Sequence, residues 1–137
     1  MLYEKLVELE KALEGEEYFA GGVSYYLSFD KMDSTISLQD SIKEQLIKLE
    51  VDDLLERDSK LNIKIINQPK LEMENLCNEW FIKKDILDRI VDMMDDEMKM
   101  YKFCDDYVYV SRGVVCEIYR VIEYKDERIL VDFYLVD

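Results

Sequence analysis

The side chains best suited to carry chemistry are carboxylates that cluster between positions 88 and 106. Asp88, Asp92 and Asp96 recur every four residues, a spacing that would place them on one face of a helix. Two carboxylates on such a face, completed by water, could hold Mg²⁺ or Ca²⁺ loosely. The order D-M-M-D-D-E at 92–97 lacks the alternating ligands and the central glycine of a calcium-binding loop, so we expect no dedicated metal site.

The same carboxylates contribute to an acidic charge that restricts the class of partner. Asp and Glu number 32 against 18 Lys and Arg, which gives a formal net charge of −14 at pH 7. Segments 1–17, 50–58 and 92–106 each carry a net charge of −4. Nucleic acids and anionic lipid surfaces are bound mainly through Lys and Arg, so we expect direct binding to neither. A basic protein surface is the partner that this charge favours.

Several classes of catalytic site are excluded by composition. The chain contains no histidine, which removes Ser-His-Asp and Cys-His catalysis and histidine-ligated zinc. Gly21-Gly22 precedes a strand pattern rather than a helix, and no nucleotide-binding glycine motif occurs. Cys77, Cys104 and Cys116 lie far apart beside apolar residues, so we expect buried thiols in a reducing cytoplasm. We therefore expect a protein without catalytic residues or cofactors rather than an enzyme.

Tyrosine is the second unusual feature of the composition. Six of the ten tyrosines follow position 100, and Tyr107 and Tyr109 have the spacing that shares one face of a strand. Packing between strands is the simpler interpretation. Tyrosine beside aspartate is also typical of protein-binding surfaces, because tyrosine supplies rigid area and aspartate supplies charge. The residues predicted to form a protein-binding site are Asp88, Asp92, Asp95, Asp96, Glu97, Tyr101, Asp105, Asp106, Tyr107 and Tyr109.

The first two thirds of the chain are predicted to be mostly helical. Leucines at helical spacing predict a first helix over 2–13, and Ser37 with Asp40 predicts the start of a second. Pro69 suits the first turn of a third helix, and a break at 81–84 separates it from a longer helix that reaches about Met100. Short strands are predicted at 23–29 and 61–65, where apolar and polar residues alternate.

The last third is predicted to be a three-stranded antiparallel meander. Segments 107–111, 114–124 and 128–136 are rich in Val, Ile and Tyr, and 112–113 and 125–127 separate them. No linker, repeat or membrane-spanning apolar run occurs, so 1–137 is predicted to be one domain. The expected fold class is α+β, with three to four helices packed on one face of a mainly antiparallel sheet that ends in the meander.

Together these features favour recognition over catalysis. We expect a small cytoplasmic binding module that inhibits a basic nucleic-acid-handling protein, such as a nuclease, by imitating the charge of nucleic acid. Bacterial toxin-immunity proteins and phage anti-restriction or anti-CRISPR proteins include small acidic α+β inhibitors, which is an analogy of composition alone. Two alternatives stay open: a small-molecule-binding or enzymatic domain with a pocket between helices and sheet, and a subunit whose Met and Tyr surface closes a homodimer.

Overall fold

The structure, a computed structural model, describes residues 1–13, 18–20, 23–51, 61–95, 97–104, 107–111 and 114–136. The helices in these ranges are α1 (Leu2–Leu13), α2 (Leu38–Lys48), α3 (Pro69–Glu79) and α4 (Lys84–Met93). The strands are β1 (Tyr18–Ala20), β2 (Val23–Lys31), β3 (Lys64–Ile66), β4 (Lys99–Lys102), β5 (Tyr107–Ser111), β6 (Val114–Tyr124) and β7 (Glu127–Val136). No helix in these ranges is long and apolar enough to cross a membrane.

All of these strands belong to one antiparallel sheet. Its order is β1-β2-β7-β6-β4-β3. Strand β5 pairs with the first part of β6, and β4 pairs with a later part of β6 on the same side. The last three strands form the predicted meander, because β5 pairs with β6 and β6 pairs with β7. The α+β class and the antiparallel meander are therefore confirmed.

Two hydrophobic cores cover the sheet, one on each face. The first core lies under α1, α3 and α4 and includes Ile122 and Phe133 of the central strands. The second includes Val121, which points to the opposite face because neighbouring residues of a strand alternate. Helix α2 packs on this second core through Ile42 and Leu46. The predicted placement of the helices on one face thus holds for α1, α3 and α4, whereas the apolar stripe of α2 covers the other face.

The helix predicted to reach about Met100 ends at Met93, and strand β4 (Lys99–Lys102) follows instead. In the turn between them, the Asp95 carboxylate accepts a hydrogen bond from the Glu97 amide at 2.7 Å. A side chain that binds the nearby backbone competes with continuation of the helix. Met100 is fully buried in the sheet, so its apolar character reflects a strand position rather than a helical one.

The other helix starts agree with their sequence signals. The Ser37 hydroxyl accepts a hydrogen bond from the Asp40 amide at 3.1 Å and caps α2, and Pro69 occupies the first position of α3. The strand predicted at 61–65 is shorter and later, at Lys64–Ile66. Leu61 has a φ of 62°, which is incompatible with an extended strand.

The first two residues of β7 anchor two other segments. The buried Glu127 carboxylate accepts a hydrogen bond from the Leu2 amide at 2.9 Å, and so binds the first turn of α1. The Arg128 guanidinium donates to the Glu123 carboxylate at 2.8 Å and to the Asp33 carbonyl at 2.7 Å. The β6–β7 hairpin thus binds α1 on one face of the sheet and the segment before α2 on the other.

Candidate protein-binding surface

Helix α4 presents two of the predicted carboxylates, Asp88 and Asp92, to solvent. Ile86 and Ile90 lie on the other side of the helix and are buried in the first core, which fixes the orientation of α4. The Asp88 side chain is 55% exposed and lies 3.7 Å from the Lys84 ammonium. An exposed ion pair at this helical spacing contributes about 0.3–0.5 kcal/mol, so Asp88 can exchange Lys84 for a partner at little cost.

The turn after α4 holds Asp95 and Glu97, and the two side chains have different surroundings. Glu97 is exposed, whereas Asp95 is half-buried. Asp95 accepts a hydrogen bond from the Glu97 amide, and its carboxylate also raises the pKa of the Tyr124 hydroxyl. Asp95 therefore stabilises the turn, while Glu97 remains accessible to a partner.

Tyr101 lies on the other face of the sheet from α4. Its side chain packs against the second core, and burial together with the Glu123 carboxylate raises its pKa. Glu123 and Tyr124 are neighbours in β6 and point to opposite faces, and Tyr101 contacts the first while Asp95 contacts the second. The structure therefore does not bring Tyr101 beside Asp88 and Asp92.

The remaining predicted residues lie wholly or partly outside the described residues. Asp96, Asp105 and Asp106 belong to the ranges that the structure does not describe. Tyr107 and Tyr109 are placed by their backbone in β5, but their side chains are outside the described part. Their role in binding stays a prediction.

The accessible carboxylates of α4 are open to solvent. Within the described ranges, no three His, Cys, Asp or Glu residues come close enough together to hold a metal ion. Asp88 and Asp92 are separated by one helical turn and are both open to water, so the arrangement suits ionic contacts with a basic surface.

A second acidic group, which sequence reasoning missed, is buried on the face that carries the second core. Glu117 is 3% exposed and Asp132 is 6% exposed, and both lie near Tyr134. Burial, with the neighbouring Asp132 carboxylate, raises the pKa of Tyr134 to about 12, and the Tyr26 ring stacks on Tyr134 at 5.1 Å between centroids. Alternation along β6 and β7 indicates which face these residues occupy, but it cannot show that this face is covered.

A groove lies beside strand β3, at the edge of the sheet. Its volume is about 570 Å³ and it opens to solvent. Strand β3 and the loop after it, the first half of α3 and the start of β4 form its walls. The sequence predicted a pocket between helices and sheet only as an alternative, and it assigned a binding role to none of the residues that line this groove. The short strand β4, which creates one wall, was the element that the sequence pattern predicted as helix.

Comparison with known proteins gives a weak structural likeness. The sequence matches no protein-family model and no curated protein. Two crystal structures of citrus MAF1, in space groups P 31 2 1 and C 2 2 21, are similar with TM-scores of 0.48 and sequence identities of 9% and 11%. Each alignment covers 96% of this chain and 98% of the citrus chain. A likeness at this level assigns neither a family nor a function.

Proposed function

We propose that this chain is a small protein-binding module that docks on a basic protein through the acidic end of α4, defined as Asp88 and Asp92 of the helix together with Glu97 of the turn that follows it. One observation supports the proposal most strongly. Asp92 and Glu97 are exposed, and neither carboxylate forms an ion pair with another described residue. Asp92 lies in the last turn of α4, where a carboxylate interacts unfavourably with the helix dipole by about 0.3–1 kcal/mol, and Glu97 adds a like charge in the turn that follows. Folding alone gives no reason for these charges, whereas a basic partner would.

The partner class that we propose is a nuclease or another nucleic-acid-binding protein, and the effect is inhibition. Proteins that bind nucleic acid present clustered Lys and Arg, so carboxylates on a helix can occupy the positions of phosphates. Some toxin-immunity proteins and phage anti-defence proteins are small acidic inhibitors, which is an analogy of composition, and the proposed module would act in the cytoplasm. The net charge of −14 supports rapid encounter with such a surface.

The proposal is tested by affinity capture with matched variants. The wild-type chain and an Asp88→Lys/Asp92→Lys variant are immobilised, exposed to lysate at low salt and eluted at high salt, and eluted proteins are identified by mass spectrometry. A Glu44→Lys/Glu50→Lys variant is the control, because it changes the net charge equally at two exposed residues, one in α2 and one directly after its C-terminal cap.

We expect the wild type and the control to retain a basic nucleic-acid-binding protein that the α4 variant loses, and duplex DNA to displace that protein. Equal retention by the two variants would place the binding surface elsewhere. A captured partner that duplex DNA does not displace would argue against charge mimicry, even if it binds α4.

The alternative of a small-molecule-binding domain has one observation in its favour. The groove beside β3 has a volume within the range of about 300–1,000 Å³ that ligand pockets occupy. Helix α3 and strands β3 and β4 form its walls, but it is open to solvent along the sheet edge, so protein binding remains the preferred proposal. A thermal shift with metabolite mixtures, absent in a variant with a filled groove, would favour the alternative.

A further inference from the structure

Among the residues that the structure describes, strand β3 has no partner along its outer side and leaves that edge of the sheet open. It is the last strand in the sheet order, and among the described residues it pairs only with β4. An edge strand presents backbone N–H and C=O groups that can pair with another extended chain. Addition of a strand to such an edge is a common way in which proteins bind peptides.

The groove runs along this open edge. Ile65 and Ile66 both line the groove. Because neighbouring residues of a strand point to opposite faces of the sheet, a groove that contacts both residues must extend along the outer edge of β3. Ile65 is 58% exposed, and Leu71, on the first turn of α3, is 47% exposed. A strand added here would find apolar contacts on both sides of its backbone.

The charge of this edge is opposite to that of the whole chain. Lys70 and Lys99 line the groove, and Glu74 is the acidic residue among its described lining. Lys64 of β3 is exposed and lies opposite Lys102 in the sheet. Like charges opposite each other across strands are destabilising, so the stability of the sheet does not account for them. An anionic ligand would be attracted by the lysines at this edge.

We propose that an extended, acidic segment of a partner protein adds to the open edge of β3. Backbone hydrogen bonds to β3 would provide pairing, apolar side chains of the segment would contact Ile65 and Leu71, and carboxylates would approach Lys70 and Lys99. This surface is distinct from the acidic end of α4 and selects a ligand of the opposite charge, so it does not depend on the proposed function.

The experiment uses a fluorescein-labelled, end-capped peptide of alternating Val and Glu as the probe, and its binding to the full chain is followed by fluorescence anisotropy. We expect saturable binding that weakens at least fivefold in Lys70→Glu/Lys99→Glu. A Lys43→Glu/Lys48→Glu variant on α2 has the same charge and should bind as the wild type does. Ile65→Asp should also weaken binding. Ile47→Asp is its control, because Ile47 is similarly exposed, at 59%, but lies on α2, and this variant should bind as the wild type does.

Two further peptides test the mode of binding. A peptide of alternating Val and Lys should bind at least tenfold more weakly, and a Val-Glu peptide methylated at alternate backbone nitrogens should lose binding because it cannot pair with an edge strand. Absence of saturable binding, equal binding of the lysine peptide, or equal effects of the groove and α2 lysine variants would overturn the proposal. Self-association that Lys70→Glu/Lys99→Glu abolishes and the peptide inhibits would overturn it too, in favour of a second copy of this chain as the occupant.

Thermal unfolding of each variant identifies any that fails to fold, and the lysine variants lie at exposed or half-exposed positions where folding is expected to be retained.

Discussion

The Asp95 carboxylate raises the pKa of the Tyr124 hydroxyl, and this interaction links the turn after α4 to the end of strand β6. The same carboxylate binds the Glu97 amide. Asp92, three residues earlier, is exposed and makes neither contact. Within one acidic stretch, the structure thus separates a carboxylate that stabilises the fold from one that is available to a partner.

The two aspartates should respond differently to substitution. Asp95→Ala removes the hydrogen bond to the Glu97 amide and the interaction with Tyr124, and should lower the free energy of unfolding by about 1 kcal/mol, which is the usual contribution of one hydrogen bond. Asp92→Ala should leave it unchanged or raise it by up to about 1 kcal/mol, because a charge that opposes the helix dipole is removed. Urea denaturation of both variants measures the difference, and equal destabilisation would contradict the assigned roles.

Glu127 should be a strong determinant of stability. Its buried carboxylate binds the amides of Leu2 and Tyr3 at 2.9 and 3.2 Å, so Glu127→Ala leaves the first turn of α1 without these acceptors. Loss of a helix cap costs about 0.5–2 kcal/mol, and we expect the upper end here because the site is buried. Asp126→Ala is the control, because the Asp126 side chain is exposed and the residue accepts its hydrogen bond, from the Ser34 hydroxyl, through its backbone carbonyl. Denaturation curves that coincide for the two variants would rule out the capping role.

Glu50 is a position where substitution should stabilise the protein. It follows the C-terminal cap of α2 and has a φ of 62°. The Glu50 amide donates to the Ile47 carbonyl, and the Val51 amide donates to the Leu46 carbonyl. This hydrogen-bond pattern normally uses glycine, because the left-handed conformation is unfavourable for other residues. Glu50→Gly should raise the free energy of unfolding by about 0.5–1 kcal/mol, and Glu50→Ala, which keeps the Cβ, should not. A gain of the same size in both variants would show that charge, not conformation, is responsible.

Tyr134 should make the fold sensitive to alkaline pH. Its pKa is raised from the ordinary value of 10.0 to about 12, so the folded state retains the hydroxyl proton more tightly than the unfolded state does. The resulting stabilisation is fully present below about pH 10 and is lost as the pH rises toward 12. Tyr134→Phe has no proton to lose at this position, so its stability should fall less steeply over that range. Urea denaturation at several pH values compares the slopes, and identical slopes would contradict the raised pKa.

The sequence alone predicted those elements that depend on residues close together in the chain. The leucine stripe predicted α1, the Ser37 hydroxyl predicted the start of α2, and alternating Val, Ile and Tyr predicted the meander. These features depend on contacts within a few residues or on a simple period, which are properties of the sequence itself.

Features that depend on the assembled sheet could not be predicted in this way. Strand β4 is four residues long and follows an acidic helix without a glycine or proline, so its apolar residues resembled a continuation of the helix. Asp95 and Tyr101 are six positions apart, yet the sheet places their contacts on opposite faces. The burial of Glu117 and Asp132 likewise depends on what covers the sheet, which no local pattern encodes.

The central claim is that the acidic end of α4 binds a basic protein, and the rate of association with the captured partner tests it most directly. The Debye length falls from about 30 Å at 0.01 M salt to about 10 Å at 0.1 M, so steered association should slow steeply over this range while dissociation changes little. Asp88→Lys/Asp92→Lys should slow association at low salt at least tenfold more than Glu44→Lys/Glu50→Lys, although both variants change the net charge equally. An association rate that is insensitive to salt, or equal slowing by the two variants, would contradict the account.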